Sequence, residues 1–371
     1  MVYKVLGLMS GSSLDGLDLA FVQLEETGGK WAYEILAADC YPYEKEWREK
    51  LQAAATLSAK DYLLLHTEYG HYTGEKINAF INKNHLHYQV AFIASHGHTT
   101  FHLPEQQMTA QVGDGAAIAA VTGLPVISDL RALDVALGGQ GAPIVPIGEK
   151  YLFPEYDLLL NIGGIANLSF NDQGNYIAFD VCPANRVLNE LAKMLGKEYD
   201  VDGLLASSGM IQEDILQQLN SLDYYSKPYP KSLANEFGTE TVLPLINAHP
   251  VSIQSKLRTY AEHIALQVDS AIKKLLSASS GASAPATAGH RLLVTGGGAF
   301  NRFLIKRIRE TLAVPGIETV IPEDHVVQYK EALIMAFIGV LRWRQENTTL
   351  ASATGATRDS IGGALWMGHD Y

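Results

Sequence analysis

The chain reads as an α/β protein of two lobes, each a mixed sheet flanked by helices, with a central cleft between them. Three observations predict this. With 371 residues, 47% of them hydrophobic and 18% charged, it is too long for one ordinary core and apolar enough for two. Two distant segments share one plan of apolar strand, tight glycine turn and second strand. The first runs Val5-Leu6-Gly7-Leu8-Met9 into Ser10-Gly11-Ser12-Ser13-Leu14-Asp15-Gly16 and on through Leu17-Asp18-Leu19-Ala20. The second runs Leu158-Leu159-Leu160-Asn161-Ile162 into Gly163-Gly164 and on through Ile165-Ala166-Asn167-Leu168. Third, the apolar strand Leu292-Leu293-Val294-Thr295 ends in Gly296-Gly297-Gly298. Glycine lets backbone N–H groups approach an anion unobstructed, so such turns cradle phosphates.

The elements follow in order. Strands over 3–8, 18–24 and 31–40 form an antiparallel meander whose first turn is the loop 10–16. Helices follow over 44–56 and 59–83. The strand Val90-Ala91-Phe92-Ile93-Ala94-Ser95 ends in the polar cluster Ser95-His96-Gly97-His98-Thr99-Thr100. Asp114-Gly115 opens a short helix to Thr122, and Pro125–Asp129 is a further parallel strand. The second lobe repeats the theme: a hairpin over 157–170, a strand over 175–181 and a helix from Pro183. Long helices over 251–277 and 328–345 flank strands 291–295 and 317–321, and the Ala/Ser/Gly-rich stretch 277–289 reads as a surface excursion. Loop composition places the boundary so that the first lobe is 1–135 and the second 136–371, with the last helix packing back on the first.

The net charge of −12 argues against a nucleic-acid groove, which needs a concentrated basic face. Cys40 and Cys182 are the only cysteines and share no ligand spacing, which argues against structural zinc. No apolar run approaches the roughly 20 residues that span a bilayer. The N-terminus enters a strand directly, without a signal-peptide pattern, so the expectation is a soluble cytoplasmic protein. No GxxxxGK[ST] sequence occurs, which excludes a P-loop kinase, and Gly296–Asn301 lacks the third glycine of a dinucleotide fingerprint.

The segments Gly7–Asp18, Ser95–Thr99, Asp129–Arg131 with Asp134–Pro143, Asn161–Asn167, Phe179-Asp180, Gly296–Asn301 and Glu331-Ala332 occur in an order and spacing that resemble the anhydro-N-acetylmuramic acid kinases. The resemblance covers nearly the whole chain and implies the actin-like, ribonuclease H-like ATPase fold. The expected reaction uses ATP and Mg²⁺ to open 1,6-anhydro-N-acetylmuramic acid with water and phosphorylate O6, in cell-wall recycling. Members of the family are commonly dimers. Two departures concern the sugar. Phe179-Asp180-Val181-Cys182-Pro183-Ala184-Asn185 stands where the family reads Phe-Asp-Thr-Gly-Pro-Gly-Asn, and His98 stands where it tends to have Gln. Alternatives are therefore a kinase for another sugar, or a catalytically idle ATP- or sugar-responsive regulator.

The resemblance assigns the β- and γ-phosphates to Gly11, Ser12, Ser13, Leu14, Asp15, Gly16, Leu17 and Asp18. Mg²⁺ falls to Asp15 and Asp18, directly or through water. Asn161, Gly163 and Gly164 form the opposing phosphate turn, and Gly296, Gly297, Gly298 and Asn301 receive the adenosine. His98, Thr99, Arg131 and Glu331 bind the sugar, Arg131 through its lactyl carboxylate. Asp180, late in an apolar strand, is the catalytic base. Several have a plainer alternative: a simple turn for Asp15-Gly16 and for Gly163-Gly164, mere packing for the strand-to-helix turn Gly296–Gly298, and a helix cap for Asp180. For Arg131 it is an ion pair with Asp129 or Asp134, and for Glu331 a solvated helix face. His96 reads as a satisfied, half-buried histidine.

Overall fold

The computed structural model describes residues 1–11, 13–172, 174–229, 231–234, 236–279, 289–313 and 316–368. The chain divides into two compact units, one of Met1–Pro154 with Tyr329–Tyr371 and one of Glu155–Gln328. The division falls later than residue 135 because helix Pro146–Leu152 packs on the first unit. Gly148 lies against Ile334, and the Phe153 ring meets Tyr33 at 5.3 Å.

In the first unit, β1 (Val2–Ser10), β2 (Gly16–Thr27) and β3 (Lys30–Pro42) form the meander, with Val5 opposite Val22. β4 (Phe92–Leu103) lies parallel to β1, β5 (Met108–Val112) pairs antiparallel with β4, and β6 (Val126–Ser128) lies parallel to β4. The sheet order is tail strand Ala364–Trp366, β6, β4, β1, β2, β3. β4 does not stop at Ser95. It runs through the polar cluster to Leu103, because His98–Leu103 pair with β5. Helices Lys45–Ala53, Ala59–Lys83 and Gly115–Thr122 form where periodicity places them; Asp114 caps the last by accepting from Ala116 N–H at 2.9 Å. Gly7 has a packing reason: a Cβ there would lie 2.0 Å from the Ala332 carbonyl oxygen. Its absence lets helix Asp324–Trp343 rest directly on β1.

In the second unit, β7 (Leu158–Ile162), β8 (Ile165–Asp172) and β9 (Asn175–Pro183) form an antiparallel meander. β10 (Arg291–Thr295) runs parallel to β7 and β11 (Glu318–Val320) parallel to β10, giving the order β11-β10-β7-β8-β9. This repeats β6-β4-β1-β2-β3 in order and direction, so the two units are copies of one plan, the duplicated ribonuclease H-like plan of the actin-like ATPases. The core is threaded by helix Ile253–Ser279, whose Leu257, Tyr260, Ile264, Val268, Ile272 and Leu275 recur at helical spacing and are fully buried. The helix after β9 begins at Asn185, not Pro183, since Pro183 still pairs with Ile165 as the last residue of the strand. Most of the stretch 277–289 lies outside the described residues.

Candidate functional site

In the first unit the β1–β2 turn carries the expected phosphate residues. Ser12 lies outside the described residues. Leu14 has a positive φ of 58° and closes the turn, its N–H donating to Gly11 O at 3.3 Å. Ser13 and Asp15 are exposed, whereas the Leu17 side chain is buried in the core and offers only backbone. Asp18 is half-buried opposite Cys40, whose thiol hydrogen-bonds it. Burial, with smaller contributions from the charges of Glu331 and Asp15, raises its carboxyl to about 6. Glu331 is likewise raised, by burial first, while the Lys330 and Arg131 charges oppose the shift. It is therefore not a solvated face. Asp15, Asp18 and Glu331 together are a concentration of negative charge that a cation would relieve. Among the described residues no group of three or more His, Cys, Asp or Glu can hold a metal ion. A cation here would thus need phosphate oxygens and water as well, as Mg²⁺ prefers.

Arg131 is partly buried and makes no ion pair within 4.0 Å among the described residues, with Asp129, Asp134 or any other carboxylate. Asp134 is already engaged, accepting from Gly141 N–H and the Thr354 hydroxyl, each at 2.8 Å. Arg131 Nε donates to His96 Nε2 at 2.7 Å, and Nη1 donates to Gly141 O at 2.5 Å. His96 is buried, and burial first, then the Arg131 charge, lowers its pKa to about 3. The neutral ring accepts at Nε2, so Nδ1 carries the proton and donates to Gly97 O at 2.8 Å. His96 thereby fixes Arg131 and leaves Nη2 for a carboxylate.

His98 reaches its place through a bulge. Leu8 pairs with Ser95 but Ser10 with His98, so β4 carries one extra residue, and Gly97 takes a φ of 71° there. His98 is buried, and burial lowers its pKa to about 4, so it is neutral. Ser10 Oγ lies 3.0 Å from His98 Nδ1 and 2.7 Å from the Tyr43 hydroxyl, which in turn bonds Tyr69. This chain of hydroxyls, absent from the sequence reading, orients the ring. Thr99 is exposed, with Gln111 Nε2 at 3.5 Å from its hydroxyl.

In the second unit a matching bulge sits at Val181, since Ala166 pairs with Cys182 and Asn167 with Asp180. Asp180 is only partly buried. It caps no helix: helix Asn185–Lys193 has Ala184 at its N-cap, without a side-chain bond. Asp180 Oδ2 accepts from Leu233 N–H at 2.8 Å, its own N–H donates to Lys231 O at 3.1 Å, and its carbonyl accepts from the Tyr224 hydroxyl at 2.6 Å. Burial raises its pKa to about 6, and the Leu233 N–H opposes the shift. Such a carboxylate is ionised near neutrality and still basic enough to take a proton. Val181, Cys182 and Ala184, the departures beside it, are at most 2% exposed and pack in the core.

The glycines divide into two kinds. A Cβ on Gly16 would meet Tyr41 O at 2.6 Å. On Gly298 it would meet Ile162 Cγ2 at 2.2 Å, and on Gly296, at a φ of 80°, Asn161 Oδ1 at 2.6 Å. These three are required by packing. At Gly11, Gly163, Gly164 and Gly297 the nearest atom would be 3.5–3.7 Å away, and none has positive φ. Neither crowding nor backbone conformation requires glycine at those four, and each leaves bare backbone open to a ligand. Asn161 stands against Thr295, and Asn301 caps helix Arg302–Leu312 by accepting from Leu304 N–H at 3.0 Å. The carbonyls of Gly163 and Gly164 accept from Ala184, Asn185 and Arg186 N–H. Arg186 Nε is buried with no hydrogen-bond partner among the described residues, and would stand 3.7 Å from a Cβ on Gly164. An orphaned guanidinium nitrogen beside an open glycine fits a phosphate. Its sequence signal was a lone arginine beginning a helix just after Asp180.

The chain matches the family model described as anhydro-N-acetylmuramic acid kinase over residues 3–368. It is 32% identical to the anhydro-N-acetylmuramic acid kinase of Hydrogenovibrio crunogenus, across 97% of each chain. To that of Aliivibrio fischeri it is 33% identical, across 98% of this chain and 99% of the relative. To that of Coxiella burnetii it is 32% identical, across 99% and 98%. These matches run nearly the full length of both partners, and the chain therefore belongs to the anhydro-N-acetylmuramic acid kinase family.

Proposed function

We propose that the protein is an ATP-dependent kinase that opens 1,6-anhydro-N-acetylmuramic acid and phosphorylates O6, giving N-acetylmuramic acid 6-phosphate for peptidoglycan recycling in the cytoplasm. The observation that carries this reading is Asp180, a carboxylate at a bulge, raised to about 6 by burial and oriented by Leu233 N–H. Asp180 takes a proton from water as the water oxygen bonds to the anomeric carbon. The bond from that carbon to O6 breaks, O6 bonds to the γ-phosphorus, and ADP leaves. Opening and transfer assist one another, because the departing oxygen is captured as its charge develops.

The remaining residues bind and orient. Arg131, fixed by His96, offers Nη2 to the lactyl carboxylate. His98 offers a neutral ring to the sugar, and Thr99 and Glu331 offer hydroxyl and carboxylate partners. Gly11, Ser12, Ser13, Asp15 and Gly163-Gly164 with Arg186 hold the phosphates, and the Gly296–Asn301 turn receives the adenosine. Mg²⁺, when bound, neutralises the triphosphate, and Asp15 and Asp18 would hold it with water. Among the described residues no helix is long and apolar enough to cross a membrane.

A panel of sugars with coupled ADP detection tests the assignment. The anhydro sugar should give the highest kcat/KM; an ordinary hexose outperforming it would replace the substrate. His98 is the one observation favouring another sugar, because Val181, Cys182 and Ala184 are absorbed in packing. Turnover of ATP with any sugar excludes the idle regulator.

A further inference from the structure

Within the second unit, a cavity of about 160 Å³ adjoins Asp180 without including it. Its walls come from β9 (Phe179 and Val181), residues 225–229 with Lys231, and helix Ile253–Ser279 (Gln267, Ser270, Ala271 and Lys274). Among the described residues three lysines line it, Lys227, Lys231 and Lys274, and no carboxylate does. Among the described residues none of the three ammonium groups has an acidic partner within 4.0 Å. The neighbouring Asp269 is engaged by Lys273 at 2.7 Å. Lys231 Nζ donates to Tyr224 O at 3.1 Å and Lys274 Nζ to Tyr225 O at 2.9 Å, which leaves further donors on each. Lys231 is held below the usual lysine range by burial first, then by the charges of Lys274 and Lys227. Like charges gathered without a counter-ion are an unrelieved cost that an anion removes. Beside them Phe179 and Tyr229 stack at 5.5 Å with their planes 11° apart, an apolar surface for a carbon skeleton.

We propose that this cavity is a second ligand site, for a small phosphomonoester, and that its occupancy steadies Asp180. The phosphate group meets the three lysines and the carbon body lies against the aromatic pair. The coupling follows from the walls. The segment that supplies Lys227 and Lys231 also supplies the Tyr224 hydroxyl, the Lys231 carbonyl and the Leu233 N–H that hold Asp180. A ligand that ties this segment to helix Ile253–Ser279 therefore restrains the carboxylate from behind. The site does not depend on which sugar the enzyme phosphorylates.

Lys227 and Lys274 are exposed, so the double variant Lys227→Gln/Lys274→Gln is expected to fold as the parent does. With a non-hydrolysable ATP analogue saturating the nucleotide turns, glucose 6-phosphate and inorganic phosphate are titrated by calorimetry at constant ionic strength. The parent should bind at least one of them at least tenfold more tightly than the variant, with the analogue binding both proteins equally. The tighter probe shows whether the carbon body contributes. Hydrogen exchange of the peptide over 224–234 should slow with the ligand in the parent and not in the variant. Equal affinities in the two proteins would overturn the site, and unchanged exchange at Leu233 in the liganded parent would overturn its coupling to Asp180.

Discussion

The two units share a strand order and directions, and each has a bulge where its functional side chains emerge, yet they use the plan differently. The first unit gathers many groups and neutralises or pairs most of them. His96 and His98 are uncharged, and Ser10, Tyr43 and Tyr69 form a closed hydroxyl chain. Arg131 is clamped by a ring nitrogen and a carbonyl. The second unit presents the Asp180 carboxylate, raised by burial against the opposing pull of a backbone N–H. On the proposed function a repeated scaffold divides labour: one copy serves recognition with fixed tautomers and donors, the other carries the group whose proton moves.

The comparison can be broken at several points. The largest effect is expected at Asp180→Asn, which should lower kcat by about 10²- to 10⁴-fold, the range of a lost general base, with ATP affinity within about twofold in a binding titration. Near-parental turnover would end the division of labour. Next, Arg131→Lys should raise KM for the carboxylated sugar about tenfold with little change in KM for ATP, because an ammonium cannot reproduce the planar fork. The glycine classes separate by a paired measurement. Gly298→Ala should cost about 1–3 kcal/mol in denaturant unfolding, since its Cβ would strike Ile162. Gly164→Ala should stay within about 0.5 kcal/mol of the parent yet weaken nucleotide binding. The smallest effect is in the pH profile. As the proposed base Asp180 acts in its ionised form, so kcat/KM should rise with pH and reach half its plateau near 6. The sign for stability is opposite. A carboxyl raised from 3.8 favours the folded state most fully at low pH, and that contribution is lost as pH rises through 6, so Asp180→Asn should be the more stable protein at pH 8.

What was legible in the sequence had a periodic signature. The meander, the two hairpins and the long helices showed as alternation, glycine turns and 3.6-residue stripes. What escaped was set by register. A one-residue bulge at Gly97 or Val181 leaves no trace in composition, yet it decides where His98 and Asp180 emerge. The sequence ends β4 too early because the polar run from Ser95 looks like a loop until β5 pairs with His98–Leu103. Long-range partners were equally hidden. Nothing in the chain announces that Cys40 bonds Asp18, that His96 fixes Arg131, or that Leu233 holds Asp180. The glycine motifs were visible as motifs, but only packing sorts the four open ones from those required by crowding.

The first unit is assembled from two stretches of chain, whereas the second is continuous from Glu155 to Gln328. As the polypeptide leaves the ribosome, the second unit has all its residues before the first has its closing helix. Until Ala332 arrives to cover Gly7, β1 keeps a bare apolar strip. The order of completion is then the reverse of the order of synthesis, and β1 waits for a partner that is translated only after the whole second unit.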